Sequence, residues 1–282
     1  MSVISKRKDT IKIKNNQLNK RNLTIYIILT YVLFWVLLGI TGLTIYLKAS
    51  TAIQAIMTNV CSWAPTFAVL ILFRKLYPDW SFKTYFQHHF KNRIHFSSFL
   101  YAFLIQGGII TFAIASIMVI NKMPFSSLQF IKGSEILPKL LIVVTAGAMG
   151  EELGWRGYLL NKFQAKYTPF ASTLFVGFIW GIWHFPLWLL NTGISGSDLI
   201  VYILLFMANI VLLSILITYF YNKEKNILIA MWIHFLFNIS LLIVQADISQ
   251  LLAFIAVFMG ITVIALLIFK RDHFFKKINQ SL

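Results

Sequence analysis

Charged residues and cysteine are both scarce in this chain. Only 12% of its 282 residues are Asp, Glu, Lys or Arg, whereas soluble domains carry about 25%. The low charged fraction excludes an ordinary soluble domain. The single cysteine, Cys61, excludes an intramolecular disulfide framework and a cysteine-rich metal site. The sequence also lacks internal repeats, low-complexity tracts and the HExxH motif of the usual one-helix zinc site.

Hydrophobic residues, in contrast, make up 59% of the chain, and they form long apolar runs. Runs of about 20 residues are what bilayer-spanning helices require, so we predict an all-α integral membrane bundle of about eight transmembrane helices. The predicted spans are 23–47, 52–73, 96–121, 136–166, 169–190, 199–221, 227–245 and 248–269. They form one membrane domain over 23–269, with a motif core at 136–245, between a basic lead, 1–22, and a basic tail, 270–282. The first apolar run is longer than that of a signal peptide, so we expect an uncleaved anchor.

Positive charge is concentrated in the connections on one side of the predicted bundle. If the amino end is inside, the inner segments hold 20 Lys and Arg residues, and the outer segments hold only Lys48, Lys122, Lys132 and Lys139. By the positive-inside rule, both ends are cytoplasmic, in the plasma membrane if the source is bacterial. The net charge of +16 would also suit nucleic acid, but this distribution indicates membrane lipid instead.

Segment 74–95 combines basic and aromatic residues, which is typical of a helix lying at the cytoplasmic interface. Its histidines, His88, His89 and His95, lie among cations, so we expect them to be solvated rather than metal ligands. Pro65 and Pro186 fall within or near the ends of spans, where they should kink helices or end them.

Two adjacent glutamates interrupt the fourth span, and an arginine follows the second by four residues. A carboxylate in hydrocarbon is costly and survives only beside polar groups or in a wet cavity. Glu152 and Arg156 share a helix face, which predicts an ion pair. Glu151 projects about 100° away and is the freer carboxylate, suited to act as a general base.

Two further spans supply the other candidate side chains. His184 lies late in the fifth span, and His234 and Asn238 share one face of the seventh. A Glu and a His could together activate a water, while the second His and the Asn donate hydrogen bonds to an oxyanion. Alternatively, Glu151, His184 and His234 could hold a zinc ion that activates the water.

Other functions remain open on these residues. The polar side chains could form structural ion pairs and hydrogen bonds in a non-catalytic membrane scaffold that binds a partner. Intramembrane Glu and His also form proton relays in proton-coupled transporters. Repeated halves and paired broken helices, which mark many transporters, are not seen in the sequence.

Three motifs in order resemble the CPBP family, which comprises type II CAAX prenyl endopeptidases and bacteriocin-processing or self-immunity proteins. They are Glu-Glu-x-x-x-Arg at 151–156, an aromatic residue four before His184, and His-x-x-x-Asn at 234–238. The aromatic residue is usually phenylalanine in the family but is Trp180 here, which affects the shape of the pocket.

This resemblance implies an intramembrane endopeptidase that cleaves a membrane-associated peptide or protein of leader, signal or CAAX type. Glu151 and His184 would activate the water, and His234 and Asn238 would form the oxyanion site. Glu152, Arg156 and Trp180 would support them. Metallo-type and metal-free, glutamate-type mechanisms are both compatible with the resemblance, so the predicted cofactor is either none or zinc.

Overall fold

The structure, a computed structural model, describes residues 3–131, 133–190 and 193–278. Within these ranges the chain is almost entirely helical, and one isolated antiparallel bridge joins Phe130 to Val244. The predicted all-α membrane bundle is confirmed. The α-helices are α1 Val3–Tyr46, α2 Thr51–Cys61, α3 Ala64–Ile71, α4 Phe73–Leu76, α5 Phe82–Phe90, α6 Phe96–Ile120, α7 Gly133–Val143, α8 Met149–Gly154, α9 Asn161–Gln164, α10 Pro169–Trp183, α11 Phe185–Leu190, α12 Gly196–Glu224, α13 Ile227–Ile243, α14 Ile248–Phe269 and α15 Arg271–Phe275.

Five helical stretches in the described chain are long and apolar enough to cross a membrane. They are Lys20–Tyr46, Phe96–Ile120, Pro169–Leu190, Gly196–Glu224 and Ile248–Phe269. The number of such stretches becomes six if the bent pair of α2 and α3 counts as one span. The predicted number of eight therefore stays a prediction.

The two remaining predicted spans carry most of the candidate site. Span 136–166 is divided by two π-helical segments, Val144–Ala148 and Trp155–Leu160, which lie on either side of α8. Span 227–245 corresponds to α13, which has only 17 residues. π-helical turns commonly occur at functional sites, because they widen a helix locally and redirect its side chains.

Helices α2 and α3 meet at an angle of 60° after Cys61. Pro65 lies in the first turn of α3, where its missing N–H costs no helical hydrogen bond. Pro186 has a similar position in α11, directly after α10 ends at Trp183. Both prolines therefore lie at helix breaks, as the sequence predicts.

Glycine allows α8 to approach the bent pair closely. A Cβ atom added at Gly154 would lie 2.5 Å from Cβ of Pro65 and 2.6 Å from its carbonyl carbon. Small residues permit such backbone contacts between membrane helices. On its other sides, α8 contacts α13, while α10 packs on α12 and α12 on α14. The short helix α8 is thus enclosed by neighbouring helices.

The predicted interfacial helix is α5. Tyr85 and His89 face inward and are buried, while Phe82 and Phe86 are exposed. The expectation that all three histidines of this segment are solvated is wrong for His89, which packs its ring 4.5 Å from that of Tyr85. Burial lowers the pKa of His89 to about 3, so this imidazole is neutral. The ring is buried because Tyr85 of the same helix covers it and because α5 folds onto the bundle beside Gly157.

Candidate active site

Glu151 is buried in α8 and accepts two hydrogen bonds from tryptophans. Nε1 of Trp180, on α10, donates to Oε2 at 2.6 Å, and Nε1 of Trp155 donates to the same oxygen at 3.1 Å. Hydrogen bonds to an ionised group are stronger than neutral ones, so the two indoles fix the orientation of this carboxylate. Trp155 is missing from the sequence-based site, although its spacing of four from Glu151 was a usable signal.

Glu152 has an arginine and a histidine as partners instead. Nη1 of Arg156 donates to its Oε1 at 3.0 Å, and both side chains are fully buried. The predicted ion pair is therefore present in the structure. Nδ1 of His234 lies 2.8 Å from the same Oε1, a contact between α8 and α13 that the sequence analysis did not include.

Several polar atoms of this ion pair have no hydrogen-bond partner among the described residues. They are Oε2 of Glu152 and Nε and Nη2 of Arg156. Buried polar atoms are ordinarily satisfied by protein, water or ligand, so these atoms mark a polar position within the apolar bundle.

His184 directly follows the end of α10 and is partly buried. Its Nδ1 lies 2.9 Å from the carbonyl oxygen of Trp180. A carbonyl oxygen only accepts, so Nδ1 carries the proton, and the neutral ring has its lone pair on Nε2. This tautomer is suited to accepting a proton at Nε2.

Trp180 lies at the centre of the site. Its ring is 5.0 Å from that of His234 and 6.2 Å from that of His184, measured between centroids. Cζ of Arg156 lies 4.5 Å from its centroid, in a cation–π arrangement. Together with its hydrogen bond to Glu151, this indole contacts side chains from three segments of the chain.

Asn238 and His234 converge on the π-helical segment Val144–Ala148. A Cβ atom added at Gly147 would lie 2.5 Å from Nδ2 of Asn238 and 3.1 Å from Nε2 of His234. Because Nδ1 of His234 faces Glu152, Nε2 is the ring nitrogen that faces Gly147. The missing side chain at Gly147 therefore leaves room for two nitrogen atoms beside the backbone.

The zinc alternative needs Glu151, His184 and His234 around one ion. No three His, Cys, Asp or Glu side chains in the described ranges lie close enough to hold a metal ion. In addition, the indole N–H groups of Trp180 and Trp155 already occupy Oε2 of Glu151. These residues do not fit a zinc ion in this arrangement, and no catalytic step is assigned to a metal.

A cavity of about 470 Å³ lies elsewhere, where α6 ends and α14 begins. Asn121, Gln129, Gln245 and Asp247 are among its lining residues, which include no candidate site residue.

These features define an all-α membrane protein with a buried site built from two carboxylates, two imidazoles, an amide and a guanidinium. Residues 133–240 match the family of type II CAAX prenyl endopeptidase Rce1-like proteins, and this range contains every candidate site residue. The chain is also 29% identical, over 181 residues, to a CAAX prenyl protease 2 of Methanococcus maripaludis. That similarity covers 59% of this chain and 65% of the relative, slightly less than two thirds of the relative's length. Both comparisons support the resemblance to the CPBP family.

Proposed function

We propose that this chain is an intramembrane endopeptidase that hydrolyses a peptide bond of a membrane-associated peptide or protein. The observation that carries the proposal is the difference between the two glutamates. Arg156 and His234 bind Glu152, whereas Glu151 accepts only the N–H groups of two neutral indoles among the described hydrogen bonds. A carboxylate held by neutral donors remains available to take up a proton, as a general base must.

In the proposed reaction, a water molecule attacks the carbonyl carbon of the scissile peptide bond. Glu151, with Nε2 of His184 as the second basic atom, removes a proton from the water as the new C–O bond forms. The C–N bond then breaks, and the proton passes to the leaving nitrogen. The second proton of the water also passes to the leaving nitrogen, so the products are a carboxylate and a protonated amine, and the Glu151 carboxylate and the His184 imidazole return to their starting states.

The negative charge on the carbonyl oxygen requires hydrogen-bond donors. Nδ2 of Asn238 and Nε2 of His234 lie near one point beside Gly147, which suits a pair of donors to an oxyanion. Nε2 of His234 can donate only when the ring carries both protons. Nδ1 of the same ring lies 2.8 Å from Oε1 of Glu152, which fixes the orientation of the imidazole. Glu152 would thereby act through His234 rather than on the substrate.

The substrate class is proposed more broadly than the relative's name suggests. A CAAX prenyl protease 2 acts, by its name, on prenylated CAAX proteins, and this chain resembles it over part of its length. Leader, signal and CAAX-type peptides all present a scissile bond at the membrane. We therefore propose a membrane-associated peptide of one of these types.

A comparison of membrane peptidomes tests this function. Cells would carry the wild-type protein, Glu151→Gln, or the isosteric control Asp198→Asn, which alters an exposed carboxylate at the start of α12. Peptides processed in wild-type and Asp198→Asn cells should remain uncleaved in Glu151→Gln cells. Equal processing in all three would contradict the proposal and favour a scaffold or self-immunity role.

A further inference from the structure

Helix α5 contacts the backbone of the candidate site directly. The hydroxyl of Tyr85 donates a hydrogen bond of 3.0 Å to the carbonyl oxygen of Leu153, which directly follows Glu152. The hydroxyl of Tyr77, just before α5, donates a longer bond of 3.4 Å to the carbonyl of Gly157. Gly157 belongs to the π-helical segment Trp155–Leu160, and Leu153 lies two residues before this segment.

A third side chain supports the same backbone from the other end. Nδ2 of Asn161 donates to the carbonyls of Arg156 and Gly157 at 3.0 and 3.1 Å. π-helical turns shift backbone hydrogen bonds from the regular helical pattern, so carbonyls near them become open to side-chain donors. The backbone of 151–157, which carries Glu151, Glu152 and Arg156, is therefore held by hydrogen bonds from side chains outside this stretch.

Tyr85 is well suited to this contact. Its side chain is buried, with the rings of Tyr77 and His89 at 5.0 and 4.5 Å. Burial raises the pKa of Tyr85 well above its ordinary value, so the hydroxyl keeps its proton and can donate. On the opposite face of α5, Phe82 and Phe86 are 46% and 41% exposed, as in a helix that lies against lipid.

We propose that Tyr85 is a positioning residue for the reaction: its hydroxyl, presented by the surface helix α5, fixes the turn that orients Glu151, Glu152 and Arg156. This inference rests on the proposed function. It assigns to α5 a part in catalysis beyond lying at the membrane surface. Tyr85 acts through the backbone and does not touch the substrate.

Gly157 provides an independent probe of the same contact. A Cβ atom added there would lie 2.8 Å from the hydroxyl oxygen of Tyr85, and the next nearest atoms are Cδ1 of Ile227 at 3.4 Å and Nε2 of His89 at 3.5 Å. An alanine at this position would thus displace the Tyr85 hydroxyl first. The strain should largely disappear when that hydroxyl is removed.

The first test compares purified, lipid-reconstituted wild-type protein with Tyr85→Phe, which removes only the hydroxyl. Tyr101→Phe, on the exposed surface of α6, is the matched control. We expect kcat per folded molecule to fall on the order of 10-fold, because small misplacement of catalytic groups is costly. KM should stay within about twofold, because substrate binding does not use this hydroxyl. Amide hydrogen exchange over 153–160 should become faster, and Tyr101→Phe should match the wild type.

A double-mutant cycle adds a readout that a general packing defect would not give. Gly157→Ala should lower kcat strongly in the wild-type background and only slightly in Tyr85→Phe. Additive effects of the two substitutions would contradict the proposal. So would an unchanged kcat together with unchanged exchange over 153–160 in Tyr85→Phe.

The same variants test the proposal if Tyr85→Phe does not fold or if the wild-type protein is inactive. If Tyr85→Phe does not accumulate as folded protein, Gly157→Ala is judged by the same changes in kcat and exchange. If the wild-type protein cleaves no peptide, the proposed function fails, and exchange alone judges the contact. Faster exchange over 153–160 in Tyr85→Phe would then support the positioning role of the hydroxyl, and unchanged exchange would overturn it.

Discussion

Glu151 and Glu152 are neighbours in sequence, but they have different partners, and we therefore propose different chemical roles for them. The carboxylate of Glu152 is bound by a buried guanidinium and an imidazole. Removing one partner from such a buried pair leaves an uncompensated charge, so we propose a structural as well as a supporting role for this pair. Glu151 is instead oriented by tryptophan N–H groups. This contrast is why we assign the proton transfer to Glu151.

Trp180→Phe tests the importance of the shorter of these two hydrogen bonds. The substitution keeps an aromatic ring in the site but removes the N–H group that donates to Oε2 of Glu151. A hydrogen bond to a charged group contributes about 2 kcal/mol, so we expect kcat to fall on the order of 30-fold. The measurement is a set of single-turnover rates in lipid vesicles.

Trp35→Phe, at a residue that is 51% exposed on α1, is the control for loss of an indole. Its rate should equal that of the wild type. Equal rates for Trp180→Phe and the wild type would show that the Trp180 N–H group does not orient the base.

Residue contacts could be predicted from the sequence only where they are local. The Glu152–Arg156 pair follows from a spacing of four on one helix. The bond between His234 and Glu152 joins residues far apart in the chain, and no spacing rule predicts it. The hydrogen bond from Trp180 was not predicted because sequence reasoning treated this ring as a wall of the pocket rather than as a donor.

At the scale of elements, short interrupted helices form the site. Helix α8 lies between two π-helical segments, and α10 stops one residue before His184. Apolar composition predicted where these segments lie, because long hydrophobic runs are a strong signal. It could not predict the π-helical turns, because they depend on contacts with other helices, such as those of Tyr85 and Asn161.

Gly154→Ala tests the close contact between α8 and α3. The new methyl group would overlap backbone and side-chain atoms of Pro65, which is held in the first turn of its helix. Overpacking of this kind costs about 1–3 kcal/mol, so thermal unfolding in detergent should shift to lower temperature. Activity should fall with it, since α8 carries both glutamates.

Gly108→Ala is the matched control, because an added Cβ atom there would meet no atom within 4 Å. It lies within α6, where alanine favours the helix by about 1 kcal/mol over glycine. A small rise in unfolding temperature is expected for the control. If Gly154→Ala were equally stable, the described approach of α8 to α3 would be wrong.

At the scale of the whole molecule, the distribution of charge predicts how the bundle lies in the membrane. Twenty basic residues are assigned to one side and four to the other, so we propose cytoplasmic ends and a cytoplasmic α5. A Cys61→Ala background with a single new cysteine tests this orientation. A membrane-impermeant maleimide should label Ser126→Cys in intact cells and should label Gln87→Cys only after lysis. The reverse pattern would contradict the proposed orientation.

The general class of the molecule was predictable from composition, but the number of spans was not. Hydropathy treats each apolar run as one span, whereas the structure breaks some runs by a 60° bend or by π-helical turns. Such irregular backbone is tolerated in membrane proteins where other parts of the protein satisfy its polar groups. Here the irregular segments are also those that carry the candidate site.

The most direct test of the central claim is cleavage by purified protein in lipid vesicles, in water enriched in ¹⁸O. Candidate membrane-associated peptides would be incubated with wild-type protein and with Glu151→Gln, matched for folded protein by thermal unfolding. The account predicts that the wild type releases fragments with ¹⁸O in the new carboxyl group and that Glu151→Gln releases essentially none. Release of the labelled fragments by Glu151→Gln at the wild-type rate would contradict it.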